Sequence, residues 1–296
     1  MRLAVTGASG FCGAAVARTA ASRGARVYCL GRRPGPVGVH RPWDATREHP
    51  DLSGVDAVIH LAAAVGEPGP RDEERYHAVN VDGIRRLLEA AVGRPVVWVS
   101  SASVYRLPIG PEPITEDHPT DSHRNAYGRT KAAGERLALD AGAVVLRPRA
   151  VYGPGDPHLL PRLRRLARGG VAVLPGPDVP LSLTAVENLA DACLAALHWT
   201  PGAYNIADAA AYRRDHAIRT VLAATGTPVR VVHVPVTAVS VAAVVAETLA
   251  RLLPWRPMVT RYALEQVSRP FVLDVSRAAG QGWRPTRSLA DFVSGR

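Results

Sequence analysis

Three runs of this chain, VDAVIHLAA (55–63), RPVVWVSS (94–101) and AVVLRP (143–148), are apolar almost without interruption. A strand with one wet face alternates polar and apolar residues. These do not, so both of their faces must be covered. Stretches of helical periodicity separate them: 72–92, whose first turn is acidic as a helix N-terminus favours, and 126–142. Ahead of them MRLAVT (1–6) starts a strand, GFCGAAVARTAASRG (10–24) reads as a helix stopping at Gly24, and ARVYCL (25–30) is a β-rich run ending at Gly31. Covered strands alternating with helices predict an α/β chain with a doubly wound parallel sheet of the Rossmann, dinucleotide-binding kind.

The texture changes after Gly153. Pro and Gly recur in YGPGDP (152–157) and LPGPDVP (174–180), a further helix is predicted at 185–199 and a further strand at 203–208. We therefore expect a Rossmann domain from 1–157 with about 181–208, and a smaller interleaved substrate lobe from about 158–180 and 209–296. In the lobe, 235–253 is predicted as a helix with Thr237, Ser240, Glu247, Thr248 and Arg251 on one stripe and apolar residues elsewhere. It reads foremost as a buried lid helix, with an apolar substrate wall or a membrane-surface element as alternatives.

Composition narrows the function classes. The net charge is +10, but the arginines are scattered and aromatics are only 5%, so no nucleic-acid surface is expected. The longest uncharged apolar stretch, AVSVAAVVA (238–246), falls far short of the ~20 residues of a membrane span. The opening MRLAVTGASG breaks at Gly7 and is no signal peptide. Cys12, Cys29 and Cys193 are odd in number and lack metal-ligand spacing, so they read as reduced core residues, with no metal, in a cytoplasmic protein. A small-molecule substrate and a homodimer are the expected partners.

Two motifs carry the chemistry. TGASGFCG (6–13) places Gly7, Gly10 and Gly13 between the first strand and the first helix. Glycines there allow a tight turn and close approach of the backbone to a pyrophosphate at the helix N-terminus. NAYGRTK (125–131) holds the only lysine, Lys131, while the other 35 of the 36 Lys and Arg residues are arginine. So complete a bias looks like one of coding, and the position that escapes it needs a compact ammonium that a planar guanidinium does not replace. Tyr127 lies four residues earlier, on the same helix face. A cation nearby lowers a tyrosine pKa from near ~10, which suits Tyr127 as proton donor and acceptor between a ketone and an alcohol.

With HLAA (60–63), VNVDG (79–83), SSASVY (100–105) and LRPRAVYGPGD (146–156), these motifs resemble the extended short-chain dehydrogenase/reductase family over nearly the whole chain. LLPRLRRLARGG (159–170) and FVLDVSRA (271–278) resemble its 3β-hydroxysteroid dehydrogenase-like and 3-oxoacyl-type reductase branch. The resemblance implies a catalytic set of Ser101, Tyr127 and Lys131, with Ser100 and Ser103 as competitors for the serine role. It implies that Lys131 reaches the cofactor ribose hydroxyls and Tyr127 from a semi-exposed place in the cleft. It implies cofactor contacts at Gly7, Gly10, Phe11, Cys12, Gly13, Ala45, Leu61, Ala62, Ala63, Pro148 and Val151, with Asp44 reading the adenine. Asn80 supports the site in such enzymes; packing its own helix is the equal alternative. Arg162, Arg164, Arg165 and Arg168 face either an anionic carrier thioester or solvent.

Three departures from the family pattern discriminate among reactions. Dehydratases of this type carry Asp-Glu where this chain has Ala102 and Ser103. Sugar-nucleotide epimerases carry Asn where it has Ala150. NAD enzymes carry an acid after the second strand, where it has Gly31, Arg32 and Arg33, which suits the 2′-phosphate of NADP. The expected activity is interconversion of a ketone and a secondary alcohol with NADP(H), NAD being the alternative cofactor. A nucleotide-sugar epimerase or 4-ketoreductase, and a non-catalytic NADP-binding sensor or scaffold, are the competing readings. An arginine–phosphate contact contributes roughly 1.5–3 kcal/mol, or about ten- to a hundredfold in affinity. Arg32→Ala is expected to weaken NADPH by that factor and to leave NADH nearly unchanged in fluorescence titrations; equal wild-type affinity for the two cofactors would refute the NADP reading.

Overall fold

Seven parallel strands hold the site in place. In the computed structural model, which describes residues 1–66, 72–107, 110–123, 125–157, 159–252 and 260–295, β1 (Arg2–Thr6), β2 (Arg26–Gly31), β3 (Val39–Pro42), β4 (Ala57–His60), β5 (Val96–Val99) and β6 (Val144–Pro148) join a seventh strand, Gly202–Ile206. Their order across the sheet is seventh strand, β6, β5, β4, β1, β2, β3. All neighbours are parallel, β1 pairing Leu3 with Val27 on one side and with Ala57 on the other. The strands predicted to be covered on both faces are so: every residue of β4 and β6 is buried.

One face packs on helix α1 (Phe11–Ser22) and helix Val186–Ala195, around Val16, Leu189, Trp199 and Trp283. The other packs on Gly83–Ala90 and Ala126–Asp140, around Ile84, Leu87, Trp98 and Ala138. The helix expected over 72–92 is broken: Glu73–His77 and Gly83–Ala90 are α-helical, and Ala78–Asp82 between them is a π-turn that carries Asn80. The edge strand β3 was not expected, and its residues are exposed or half-buried, so it shows no apolar signature.

Outside the sheet, Val171–Pro175 pairs in parallel with Arg230–Val234 and antiparallel with Ala167–Arg168. Tyr152, Leu163, Leu174, Leu183, Ile218 and Leu222 form the core beneath. The buried Asp208 carboxylate ties these parts together, accepting from Ala185 N, Asn188 Nδ2 and the hydroxyls of Tyr152 and Tyr212. Helix Val236–Leu252 forms as predicted but is not buried. Ala243 is its one buried residue among those described, while Val241, Val244, Val245 and Leu249 are exposed. Among the described residues its main contact is helix Arg261–Ser268, through the Glu247–Arg261 ion pair. Leu253, and the side chain of Arg251, lie outside the described residues.

A buried ion pair joins the helix Ala126–Asp140 to the sheet. Glu135 is 3% exposed and accepts from Arg147 of β6, which is 4% exposed, through both Nε and Nη2. Arg147 Nη1 also donates to Tyr105 Oη at 2.7 Å and to Glu116 O at 2.8 Å. Removing one member of such a pair strands a buried charge, at about 3–5 kcal/mol, whereas replacing both with apolar residues is often neutral. Arg147→Met is expected to lose about that much stability in urea unfolding, and adding Glu135→Leu to recover most of it.

Candidate active site

The loops after β1, β4, β5 and β6 leave the carboxyl ends of their strands and border one cleft of about 1860 Å³, where ligands bind in open α/β sheets. In the first loop Gly7 has φ +67°, and a Cβ there would lie 2.8 Å from Ala62 N. A Cβ on Gly13 would lie 2.2 Å from Gly7 O, so the helix and the turn fit together only with glycine at both places. Gly10 N donates to Gly7 O at 2.9 Å and is the N-cap of α1, with no side chain capping that end. The first-turn N–H groups are thus available to a pyrophosphate, and the residues present fit a dinucleotide. Phe11 and Cys12 line the cleft. Cys12 is half-buried rather than in the core, and burial pushes its thiol up to about 12.

The second loop is strapped to the first. Thr6 Oγ1 accepts from Leu61 N and Ala62 N, both at 3.0 Å, and is 2.7 Å from His60 Nδ1. Burial drives His60 down to about 3, helped by the charge of Lys131, so its ring is neutral. Leu61 and Ala63 line the cleft, and Ala62 backs onto Gly7. Asn80 is 2% exposed. It clasps Ala64 through both N–H and C=O and donates to Thr130 Oγ1 at 3.1 Å. Its side chain therefore holds the loop against helix Ala126–Asp140.

At the far end of the sheet, Arg32 and Arg33 are exposed and have no hydrogen-bond or ion-pair partner among the described residues. Asp44 Oδ1 accepts from Thr46 N and Oγ1, and these bonds, with Arg32 and Arg47 adding, hold its carboxyl below the usual range. Ala45 is buried with its Cβ against Gly83, and its carbonyl accepts from Arg86.

Helix Ala126–Asp140 starts where Asn125 Oδ1 accepts from Gly128 N at 2.9 Å, an ordinary N-cap. Tyr127, the second residue of this helix, is half-buried, with the Tyr76 ring edge-on at 6.3 Å. Ser101 caps the 3₁₀ turn Ala102–Val104, accepting from Ser103 N at 3.2 Å. The neighbouring serines differ. Ser100 donates to Glu135 at 2.6 Å inside the core, and Ser103 Oγ is buried with no partner among the described residues. Of the three, Ser101 is the one that acts on the Tyr127 phenol, drawing its pKa down. Burial raises the Tyr127 phenol above its ordinary value, and Ser101 offsets only part of that.

Lys131 departs from expectation. It is 2% exposed, not semi-exposed. Its Nζ donates to Val99 O at 2.7 Å and sits 4.0 Å from the centroid of a Trp98 ring. Burial pulls its pKa down to about 7, against a smaller upward pull from Glu135. The ammonium is held beneath the cleft by the end of β5, with part of the side chain lining it. The reading from sequence also missed Glu135 and Arg147. The i, i+4, i+8 spacing of Tyr127, Lys131 and Glu135 was the available signal, obscured by the abundance of arginine elsewhere. Pro148 and Val151 line the cleft.

Residues 3–207 match the NAD dependent epimerase/dehydratase family. The chain belongs to that family. The 2-alkyl-3-oxoalkanoate reductase of Shewanella oneidensis is 30% identical over 311 residues, covering 93% of this chain and 79% of that protein. The 3 beta-hydroxysteroid dehydrogenase/Delta 5-->4-isomerase of Mycobacterium tuberculosis is 32% identical over 260 residues, 76% of this chain and 70% of that one. Among solved structures, MoeE5 in complex with UDP-glucose and NAD matches with a TM-score of 0.74 and 26% identity, covering 99% of this chain and 96% of that one. The chain is thus an extended short-chain-type oxidoreductase. Among the described residues no helix is long and apolar enough to cross a membrane.

The buried lysine has a consequence for stability. Its folded pKa of about 7 lies below its ordinary 10.5. The cost of burying the charge is complete below pH 7, falls as pH rises from 7 towards 10.5 while the unfolded chain binds more protons, and vanishes above. Lys131→Met is therefore expected to be more stable than wild type by up to a few kcal/mol near pH 7, with the two converging near pH 10. Chemical denaturation across that range checks it. Lys131→Arg overpacks the site and is expected to cost about 1–3 kcal/mol, besides activity.

Proposed function

We propose that the protein is an NADP(H)-dependent reductase that interconverts a ketone and a secondary alcohol on a largely apolar small molecule. The observation that carries the reading is that Ser101, Tyr127 and Lys131 line one cleft, walled by residues such as Leu107, Leu160, Leu163, Leu181 and Val239. Ser101 orients a carbonyl oxygen. The raised pKa keeps Tyr127 protonated at neutral pH, so it is a donor to that oxygen as charge develops there, and the acceptor in the reverse direction. The compact charge of Lys131 stabilises the phenolate left behind. The glycine loop and Lys131 would hold the dinucleotide, whose nicotinamide supplies the hydride in reduction and accepts it in oxidation. Arg32 and Arg33, exposed and unpaired among the described residues, support NADP over NAD. Three free thiols support a reducing, cytoplasmic setting, and a homodimer belongs to the same reading.

The reductase of Shewanella oneidensis bears, in its name, a ketone flanked by alkyl groups on an acid, and we extend that substrate class to this chain. MoeE5, held with UDP-glucose, supports an epimerase instead. Ala150 weighs against it: with φ +44° this position is one where asparagine is at ease, and an apolar residue stands there. A non-catalytic sensor has no need of the Ser101–Tyr127 pair.

Tyr127→Phe is expected to lower kcat for ketone reduction about 10²–10⁴-fold while leaving NADPH affinity close to wild type. Calorimetric titration of the NADP-loaded enzyme with nucleotide sugars provides the counter-test. Micromolar binding of any of them overturns the apolar-ketone reading in favour of the epimerase.

A further inference from the structure

Among the described residues three arginines are deeply buried, and two of them have an acid. Arg147 pairs with Glu135, and Arg214, 1% exposed, pairs with Asp215 through Nε at 2.9 Å and gives its remaining donors to the carbonyls of Pro175, Gly176 and Val267. Arg149 is different. It is 7% exposed and lines the cleft, yet no carboxylate pairs with it among the described residues. One bond, from Nη2 to Gln266 O at 2.9 Å, is all its guanidinium makes among the described residues. Nε is buried with no acceptor. The ring of Phe271, 4.1 Å from Cζ, covers one face.

The backbone fixes where this side chain starts. Arg149 N donates to Thr184 Oγ1 at 3.2 Å, and Thr184 Oγ1 donates to Arg149 O at 2.9 Å. A guanidinium taken out of water without a counter-charge is costly, and a structural role does not require one, since Gln266 O and Phe271 are satisfied equally by a neutral donor. The acids of the cleft are engaged elsewhere: Glu73 with Arg129, Glu247 with Arg261, and Asp156 with the N–H groups of Leu159 and Leu160. Glu265 also lines the cleft, without pairing to Arg149. At the rim Arg162 and Arg165 are exposed and unpaired among the described residues.

We propose that Arg149 is the anchor for a carboxylate on the substrate, so that the ketone turned over at Tyr127 belongs to a 3-oxo acid. This rests on the reductase reading above and adds to it the group that orients the substrate. A guanidinium fork matches a carboxylate geometrically, and the incoming anion supplies the counter-charge that the fold withholds. Burial lowers the pKa of Arg149 to about 10, which leaves it cationic at neutral pH.

Free 3-oxo acids decarboxylate, so the reaction is best run in the oxidative direction, with 3-hydroxydecanoate and its methyl ester and NADP as cofactor. Wild type is expected to prefer the acid in kcat/KM by about ten- to a hundredfold, the worth of a charge-assisted hydrogen bond, mainly through KM. Arg149→Met is expected to collapse that ratio, and Arg149→Lys to restore part of it. A purely structural arginine would lower both substrates alike, and that result overturns the proposal, as does a wild type that handles the ester as well as the acid. Decanoate and decanol, titrated into the wild-type NADP complex, give an answer that depends on neither turnover nor the folding of a variant. Tighter decanoate binding supports the anchor, and equal binding refutes it. If neither the acid nor the ester is oxidised while decanoate still binds tightly, the reductase reading fails and the carboxylate site stands.

Discussion

The Glu135–Arg147 pair is the contact on which the site's geometry depends. It clamps the helix that bears Tyr127 and Lys131 to β6, the strand that runs into Pro148 and Arg149. From Arg147 the network continues through Tyr105 to Asn205 of the seventh strand, whose backbone N–H meets Glu116 and whose side chain holds the carbonyls of Ile114 and Asp274. Five separate parts of the chain thus share one set of buried polar bonds. Such a set is favourable only when every member is satisfied, so it tolerates a single arrangement of the pieces. It also divides the serines. Ser100 is drawn inward by Glu135, and its neighbour Ser101 faces the other way along the strand end, towards Tyr127.

Desolvation acts on three ionisable groups near this clamp, and each time it favours the neutral form. His60 is neutral and bound to Thr6, which keeps the strap between the first two loops intact. Tyr127 retains its proton. Lys131 stands close to its titration point, with its ammonium shared between a backbone carbonyl and an indole face. The expectation that the lysine lowers the tyrosine's pKa is not met by this arrangement, because burial outweighs every other influence on Tyr127. The site is thereby set for donation of a proton, and the lysine's charge is at hand for the phenolate that donation creates.

The parallel sheet was legible because burial on both faces leaves a mark in each strand separately: the apolar runs 55–63, 94–101 and 143–148 contain β4, β5 and β6. The glycine loop and the Tyr127–Lys131 pair were legible because their function depends on local spacing. What escaped depends on partners distant in sequence. β3 is short and half-wet. Val171–Pro175 finds its parallel partner only at Arg230–Val234. Burial of the apolar 236–252 helix was inferred from its residues alone, but burial needs neighbours on several sides, and among the described residues helix Arg261–Ser268 is the main one. Glu135, Arg147 and Arg149 were lost among the arginines, since nothing local marks a charged residue as one that will be enclosed.

The isolation of Lys131 also bears on covalent chemistry. Amine-directed reagents act on the unprotonated form, and an ordinary lysine offers almost none of it at neutral pH. This chain carries one side-chain amine, and the fold has brought it to about pKa 7. An acylating label would therefore have a single internal target, shielded by a wall of the cleft, with arginines everywhere else inert to it. Its rate of modification becomes a direct gauge of how often the ground beneath the active site opens to solvent, without any need to know the substrate.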